Sequence, residues 1–590
     1  MSVENLITKN IDIWTAAVQT KSTAGRGTSS KLDLYGIKKL RELILELAVR
    51  GKLVAQDPND EPASLLLERI TKEKAQLVKD KIIKKQKALP EVDTDEFLFE
   101  IPEKWSWTRL GSITEIGPRN TNISDDLDVS FVPMPLIATN TDGRHGSEIK
   151  KWGEIKKGYT HFANGDIALA KITPCFENSK AAIFSGLENG VGAGTTELHV
   201  ARPIADTLDA RYILLFLKAP IFLKVGETKM TGSAGQKRVP KDFFAQYPLP
   251  FPPLKEQRRI VAKVDELMKL CDQLEQQTEA SIAAHQVLVE TLLATLTNSA
   301  DAEELMENWQ RISAHFDTLF TTEESIDQLK QTILQLAVMG KLVPQNPAEE
   351  PASELLKRIA KEKAQLVKEG KIKKQKASPS ITDDEKPFEL PNGWCFSRLE
   401  NLSELITKGS SPKWQGVSYT ENPEDVLFVT SENVGAFNLL LDNKKYVEKK
   451  FNDIEPRSIL KKYDFLMNIV GASIGRTALY DLDDMANINQ AVCLIRSFPQ
   501  QVMTGFFLLF FNSRTCVSYM YDKQVENARP NLSMGNIAKF VIPVPPLEEQ
   551  KRIVARVAEF MEVCEQLQTC IKDVQTTQMH LTDAIVKQAM

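Results

Sequence analysis

The chain lacks the marks of a metal or redox centre. Its seven cysteines (Cys175, Cys271, Cys395, Cys493, Cys516, Cys564 and Cys570) are scattered, and none forms a CxxC pair. An odd count without zinc spacing reads as reduced thiols in the core and fits a reducing compartment. The six histidines are equally dispersed, with no HExxH, so a metal site finds little support. The absence of a GxxxxGK[ST] loop excludes an ATPase, and the GxSxG and kinase signatures are also missing. No Asn/Asp-Pro-Pro-aromatic segment like those of amino-methyltransferases occurs, because the Pro-Pro pairs follow Phe251 and Val544. GVGAGT at 190–195 lacks the GxGxxG spacing that leads into a helix, and a turn between strands is expected there. No residue set able to run a reaction emerges.

Long apolar runs and excess charge are scarce too. No continuous run reaches the ~18–20 residues of a membrane span; Phe506 to Phe511 (FFLLFF) is the longest candidate and reads as buried core. The opening MSVENLITKNIDIWTAAVQT has no secretory design, so the expected location is the cytoplasm. A net charge of −5 projects no basic field. Any DNA contact must then come from local patches or from a partner. The 42% hydrophobic and 26% charged fractions are those of an ordinary soluble protein. At 590 residues the chain exceeds a single core of ~250–300 residues, so several domains are expected.

What the chain does have is a long repeat. LAVRGKLV at 47 returns as LAVMGKLV at 336, EPAS at 61 as EPAS at 350, KEKAQLVK at 72 and KKQKA at 84 as identical copies at 361 and 373, and IPEKW at 101 as LPNGW at 390. EQRRIVAKV at 256, after Pro252-Pro253-Leu254, returns as EQKRIVARV at 549, after Pro545-Pro546-Leu547. Between these matching ends lie middles that differ, about 110 to 250 and 399 to 543. The period is domain-sized, not that of a solenoid. Duplicated units tend to pack about a pseudo-twofold axis.

The matching ends are helical in pattern. Apolar residues recur at Ile260, Val264, Leu267, Cys271, Leu274, Ile282, Val289, Leu292 and Leu296. In the second copy they recur at Ile553, Val557, Phe560, Cys564, Leu567, Ile571, Val574, Leu581 and Ile585. Steps of three and four make a heptad stripe that a partner helix must bury. About forty residues at 1.5 Å each give a rod of roughly 60 Å. The two stripes are expected to bury each other as an antiparallel pair; the alternative is that each packs on its own half. Leu40, Leu43, Ile44 and Leu47 share a face of an earlier helix, as do Leu329, Ile333 and Leu336, with Gly51 and Gly340 where a C-cap belongs. A second helix follows EPAS and leads into KEKAQLVKDKIIKKQK, which is a solvated face or tether, or else a phosphate contact. The middles mix short β-rich runs (DIALAKI at 166, VLFVT at 426) with helical ones (ARYILLFLKAP at 210, MTGFFLLFFNS at 503).

The closing patterns PLPFPPLKEQRRIVAKVDELM and VIPVPPLEEQKRIVARVAEFM resemble those of the specificity subunits of type I restriction-modification enzymes. So do the openings IPEKWSWTRLGSI and LPNGWCFSRLENL and the interior segments GDIALAKITP and YDFLMNIVGASIGRT. The likeness covers residues 31 to 590. It implies an α+β fold with a pseudo-twofold internal repeat: two globular mixed α/β target recognition domains separated by long antiparallel coiled-coil helices. The expected parts are an N-terminal tail (1–30), a helical repeat segment (31–98), target recognition domain 1 (99–253), a central helical region (254–390), target recognition domain 2 (391–545) and a C-terminal spacer helix (546–590).

The resemblance also implies a non-catalytic subunit. Each domain reads half of an asymmetric bipartite site in double-stranded DNA, and the helices dock two methyltransferase subunits that methylate adenine. Motor-nuclease subunits complete the complex. No cofactor is expected in this chain; S-adenosylmethionine, ATP and Mg2+ belong to the partners, and no membrane is involved. Base and phosphate contacts require Arg, Lys, Asn, Gln or Ser on loops. The candidates are Arg119 and Asn120 in GPRNTN, Lys171 and Arg476 in the interior segments, and Lys237 and Arg238 in TGSAGQKRVP. In the second middle they are Lys408, Ser410, Lys413 and Trp414 in ITKGSSPKWQG, and Asn527, Arg529 and Asn531 in VENARPNLS. The competing classes are an assembly scaffold without nucleic-acid contact and a cryptic nuclease or methyltransferase.

Overall fold

A computed structural model describes the chain apart from residues 1–2, 22–30, 205–206, 234, 301, 374–378, 499–503 and 523–531. Two compact units share the chain. One holds Met1–Lys21, Ser30–Ala280 and Gln575–Met590, and the other holds Ser281–Val574.

In the first unit an opening helix, Tyr35–Val49, buries Ile37, Leu40, Leu43, Ile44 and Leu47. It stops at Gly51, whose φ of 69° suits a residue without Cβ; an added Cβ would sit 2.5 Å from the Pro102 ring. Gly340 repeats this after the second unit's opening helix, Glu323–Val338, with φ 72° and Pro391 at 2.5 Å. The second helices, Ala63–Lys79 and Ala352–Lys368, start and stop at matching residues. Part of the segment expected as a tail is folded: Val3–Lys9 and Ile11–Ala16 are helical and Trp14 is fully buried. The close approach depends on Gly36, where a Cβ would lie 2.3 Å from the Trp14 carbonyl oxygen.

The rods are the helices Leu254–Asn298 and Leu547–Ala589. Each starts in one unit and ends in the other. Ile260, Val264, Leu267, Cys271 and Leu274 are buried, as are Ile553, Val557 and Cys564. The opening helices also pack along these seams. In the first unit Arg41 donates to Glu275 and Asp272 (2.8 and 2.6 Å), and Tyr35 donates to Asp583 (2.8 Å). In the second, Lys330 donates to Gln568 (2.8 Å) and Gln328 to Glu290 (3.1 Å). There Val289, Leu293 and Leu296 share one core with Leu329, Ile333, Ile553 and Val557. Val574 and Leu581, expected in the seam, are half exposed at 50% and 46%. The one fully buried position of that stretch is polar, Thr582, so following apolar residues alone misses part of the inward face. Leu254–Asn298 is long and apolar enough by composition to cross a membrane, with a window of mean hydropathy 1.2.

The middles form two sheets each. In the first, an antiparallel sheet runs Thr114–Ile116, Leu198–Pro203, Ile167–Ala170, Ala181–Ile183. Its counterpart runs Ser403–Lys408, Val492–Ser497, Asp464–Asn468, Thr477–Tyr480, in the same order. The other sheets share a parallel pair, Asp128–Val132 with Val191–Gly194 and Val426–Val429 with Ala486–Ile488. They diverge around it, because among the described residues only the first has a strand (Thr160–Ala163) on the far side of Val191–Gly194. GVGAGT is thus a central strand rather than a turn. Its glycines let neighbours close in, since a Cβ at Gly192 would meet the Ser130 oxygen at 2.5 Å and the Phe162 ring at 2.6 Å.

A two-stranded ladder closes each middle. Ser106–Arg109 pairs with Pro248–Phe251, and Cys395–Arg398 with Val541–Val544, in matching register. Arg109 and Arg398 brace these ladders: each guanidinium lies against a glutamate, Glu96 at 2.5 Å and Glu385 at 2.9 Å.

Candidate nucleic-acid interface

The interior segment of the first middle and the TGSAGQKRVP loop meet in space. Lys171 follows the strand Ile167–Ala170, and its carbonyl accepts from Val239 N–H at 2.8 Å. Thr173 N–H donates to the Lys237 carbonyl at 3.0 Å. Thr231 and Arg238 exchange backbone hydrogen bonds at 3.0 and 2.8 Å, closing the base of the loop as a hairpin. Lys171, Lys237 and Arg238, read separately from the sequence, therefore share one surface.

The side chains fare differently. Lys237 is exposed. Arg238 sends Nε and Nη2 to the two carboxylate oxygens of Glu197 (2.9 and 2.8 Å) and Nη1 to the Gln236 carbonyl (3.0 Å). Its fork is occupied, and these bonds hold the Glu197 carboxyl below its usual range. Arg119 is exposed, with one long bond to the Tyr159 carbonyl at 3.5 Å. Asn120 is engaged internally. Its amide donates to Phe162 O (2.8 Å) and Gly192 O (3.4 Å), and its oxygen accepts from Arg202 (3.2 Å). It joins the two sheets, a role that a loop sequence does not reveal.

Elsewhere in the first middle Lys218 is buried among backbone carbonyls, donating to Thr139 O (3.1 Å) and Ser179 O (2.7 Å). Burial pushes its ammonium down to about 7, against the pull of Asp142. His199 is likewise lowered to about 4, first by burial and then by the charges of Lys171 and Lys241.

In the second middle, Lys408 is exposed at the end of Ser403–Lys408. The next residue, Gly409, passes so close to Ile488 that a Cβ would lie 1.9 Å from its oxygen. The turn beyond is held from inside: Gln415 donates to Ser410 Oγ (3.0 Å) and to Glu455 (2.8 Å), which also accepts from Arg457 (3.2 Å). On the outer side of this fixed turn Lys413 is exposed and Trp414 is 77% exposed. Arg476 is exposed in the turn between Asp464–Asn468 and Thr477–Tyr480. Asn527, Arg529 and Asn531 lie outside the described residues. Leu532, just after them, donates to the Ile469 carbonyl at 3.1 Å, as Val239 does to Lys171. Among the described residues no group of three or more His, Cys, Asp or Glu could hold a metal ion.

Two domains with the same antiparallel sheet order, each with polar loops on a braced frame, also match a single family twice. The type I restriction modification DNA specificity domain covers residues 102–284 and again 391–574. This chain belongs to that family. Over 100% of both chains it is 53% identical to the Type I restriction enzyme EcoAI specificity subunit of Escherichia coli. It is 52% identical, again over 100% of both, to the EcoEI specificity subunit of the same species. Among solved structures, a chain of a type I R-M system covers 83% of this chain and 98% of its own, at 17% identity and a TM-score of 0.49.

The specificity-domain matches begin at Pro102 and Pro391, which pack against Gly51 and Gly340. The frames that position the loops thus lie partly outside the matched spans, and so do both lysine-rich segments. The loops carrying Arg119, Lys171, Lys237, Lys413, Trp414 and Arg476 lie inside them.

Proposed function

We propose that this chain is the DNA-specificity subunit of a type I restriction-modification system. The observation that carries this is the double family match, one copy on each of two domains with the same antiparallel sheet order and different loops. Each domain reads one half of an asymmetric bipartite duplex target, with half-sites about one helical turn apart, ~34–36 Å between centres. The long helices, each shared between the units, set the gap and dock two methyltransferase subunits. Those subunits use S-adenosylmethionine to methylate adenine, and motor-nuclease subunits using ATP and Mg2+ cleave. The chain contributes recognition and no bond-making step, and it works in the cytoplasm, where the genome and its partners are.

Sequencing the methylated adenines in DNA from cells carrying this chain and its partners tests the reading. A two-part motif with an unread gap is expected. A single uninterrupted word overturns the bipartite reading, and methylation or cleavage by the purified chain alone overturns the non-catalytic one.

A further inference from the structure

The segment Lys79–Pro90, between the second helix and the first recognition domain, contains five lysines and one acid, Asp80. It is not a free linker. On the preceding helix Lys74 is half-buried and donates to the carbonyls of Gly111 (2.6 Å) and Thr114 (2.8 Å). Gln86 donates to the carbonyl of Ile116 at 3.1 Å. Leu89 packs against Gly111, its Cδ1 lying 2.8 Å from where a Cβ would be. Three anchors thus fix the segment along residues 111–116. Between them Lys81, Lys84, Lys85 and Lys87 are exposed.

The anchor at Ile116 sets what lies beside these ammonium groups. The next residues are Gly117, Pro118 and the exposed Arg119. Lys241 Nζ is the nearest atom to a Cβ at Gly117, at 3.6 Å. Lys171 and Lys241 both act on His199, and Lys84 acts on Glu115. Exposed basic side chains therefore recur from the segment, across the Arg119 loop, to the strand end that meets the TGSAGQKRVP hairpin, on a surface where Glu115 is half-buried and Glu197 is held by Arg238. In a chain of net charge −5, such a surface is where a polyanion is attracted. Ammonium groups on long, unfixed stems suit a row of phosphates, which asks for charge rather than geometry.

We propose that Lys79–Pro90 is a phosphate-binding strap, with Lys84, Lys85 and Lys87 lying along the duplex backbone beside the first half-site. At up to ~3.5 Å per residue these three span roughly 10 Å, about three base pairs of rise at ~3.4 Å each. The strap lies outside the matched family span and lengthens the contact without reading bases. The inference rests on the DNA-reading role proposed above.

The test compares the assembled complex carrying K84Q/K85Q/K87Q with wild type, by anisotropy titration of a labelled random-sequence duplex over a range of salt. The plot of log K against log salt is expected to become shallower by about 2.7, or about 0.9 for each of three phosphates released. The methylated sequence should stay the same, and K84R/K85R/K87R should restore the slope. If wild type binds and the glutamine variant keeps its slope and affinity, the strap is wrong while the DNA-reading role stands. If the variant sheds its methyltransferase subunits at an unchanged slope, the surface is a protein contact and the strap is equally wrong. If the wild-type complex binds no duplex at all, both readings fall.

Discussion

Arg496 grips Asp464 with two parallel hydrogen bonds, Nε to Oδ1 at 2.7 Å and Nη2 to Oδ2 at 2.6 Å. Arg202 holds Asp166 in the same way in the first repeat, both at 2.8 Å. Each aspartate is 1% exposed at the start of the strand that leads to an interior loop. Burial raises both carboxyls, and the arginine draws each back toward the charged form.

Removing one partner leaves a charge buried alone. R496M should therefore cost about 3–5 kcal/mol of stability, read from denaturant unfolding of the full chain. D464L added to R496M should recover most of it, because a buried pair replaced by apolar groups is close to neutral. An R496M chain as stable as wild type would show that water reaches Asp464.

Lys218 predicts a pH dependence of the same sign as an acid-labile ion pair, but set in the alkaline range. Its folded pKa, about 7, lies below the ordinary 10.5, so over that interval the unfolded chain binds the proton and the folded chain does not. This group's contribution to stability is full above about 10.5 and is lost as pH falls through about 7. Thermal midpoints of K218M and wild type, measured from pH 6 to 10, should diverge with that sign. Parallel curves would mean that the amine stays charged in the fold.

The hairpin lysine and arginine should separate on DNA. K237A is expected to reduce the salt slope by about 0.9. E197Q removes the carboxylate that occupies Arg238 and should tighten non-specific binding. Anisotropy titrations at several salt concentrations check both. An unchanged K237A slope would take the hairpin out of the interface.

Trp414 offers a spectroscopic handle. Its ring is exposed on a turn fixed by Gln415 and Glu455, an expensive place for a large apolar group unless something covers it. Part of the tryptophan emission of the complex should be quenched on binding target DNA, and that part should be missing in W414F. W414A should lose about 1–3 kcal/mol of binding if a base stacks on the ring. Identical quenching in W414F would place the signal elsewhere.

The frame was legible in the sequence because it is repeated. Matching words at offsets of 289 and 293 residues mark the helices, and Gly51 and Gly340 announce their own left-handed turns. The heptad stripes were legible only where the buried positions are apolar, as from Ile553 to Cys564, and not around Thr582. The meeting of Lys171 with Lys237 was invisible because it depends on backbone hydrogen bonds between distant segments. Loop composition could not show that Asn120 already engages internal carbonyls and Arg238 a carboxylate. Lys84, Lys85 and Lys87 were visible as a charge run, but contacts such as Gln86–Ile116, which give that run its neighbours, were not.

The paired strands that close each middle have one more consequence. Arg109 sits opposite Pro248 and Arg398 opposite Val541, so the chain enters and leaves each reading module at adjacent rungs. A module whose two ends are hydrogen-bonded neighbours can be exchanged for another of different length and loops while its socket keeps its shape. The architecture lets target choice evolve by cassette replacement, with the machinery around it left as it is.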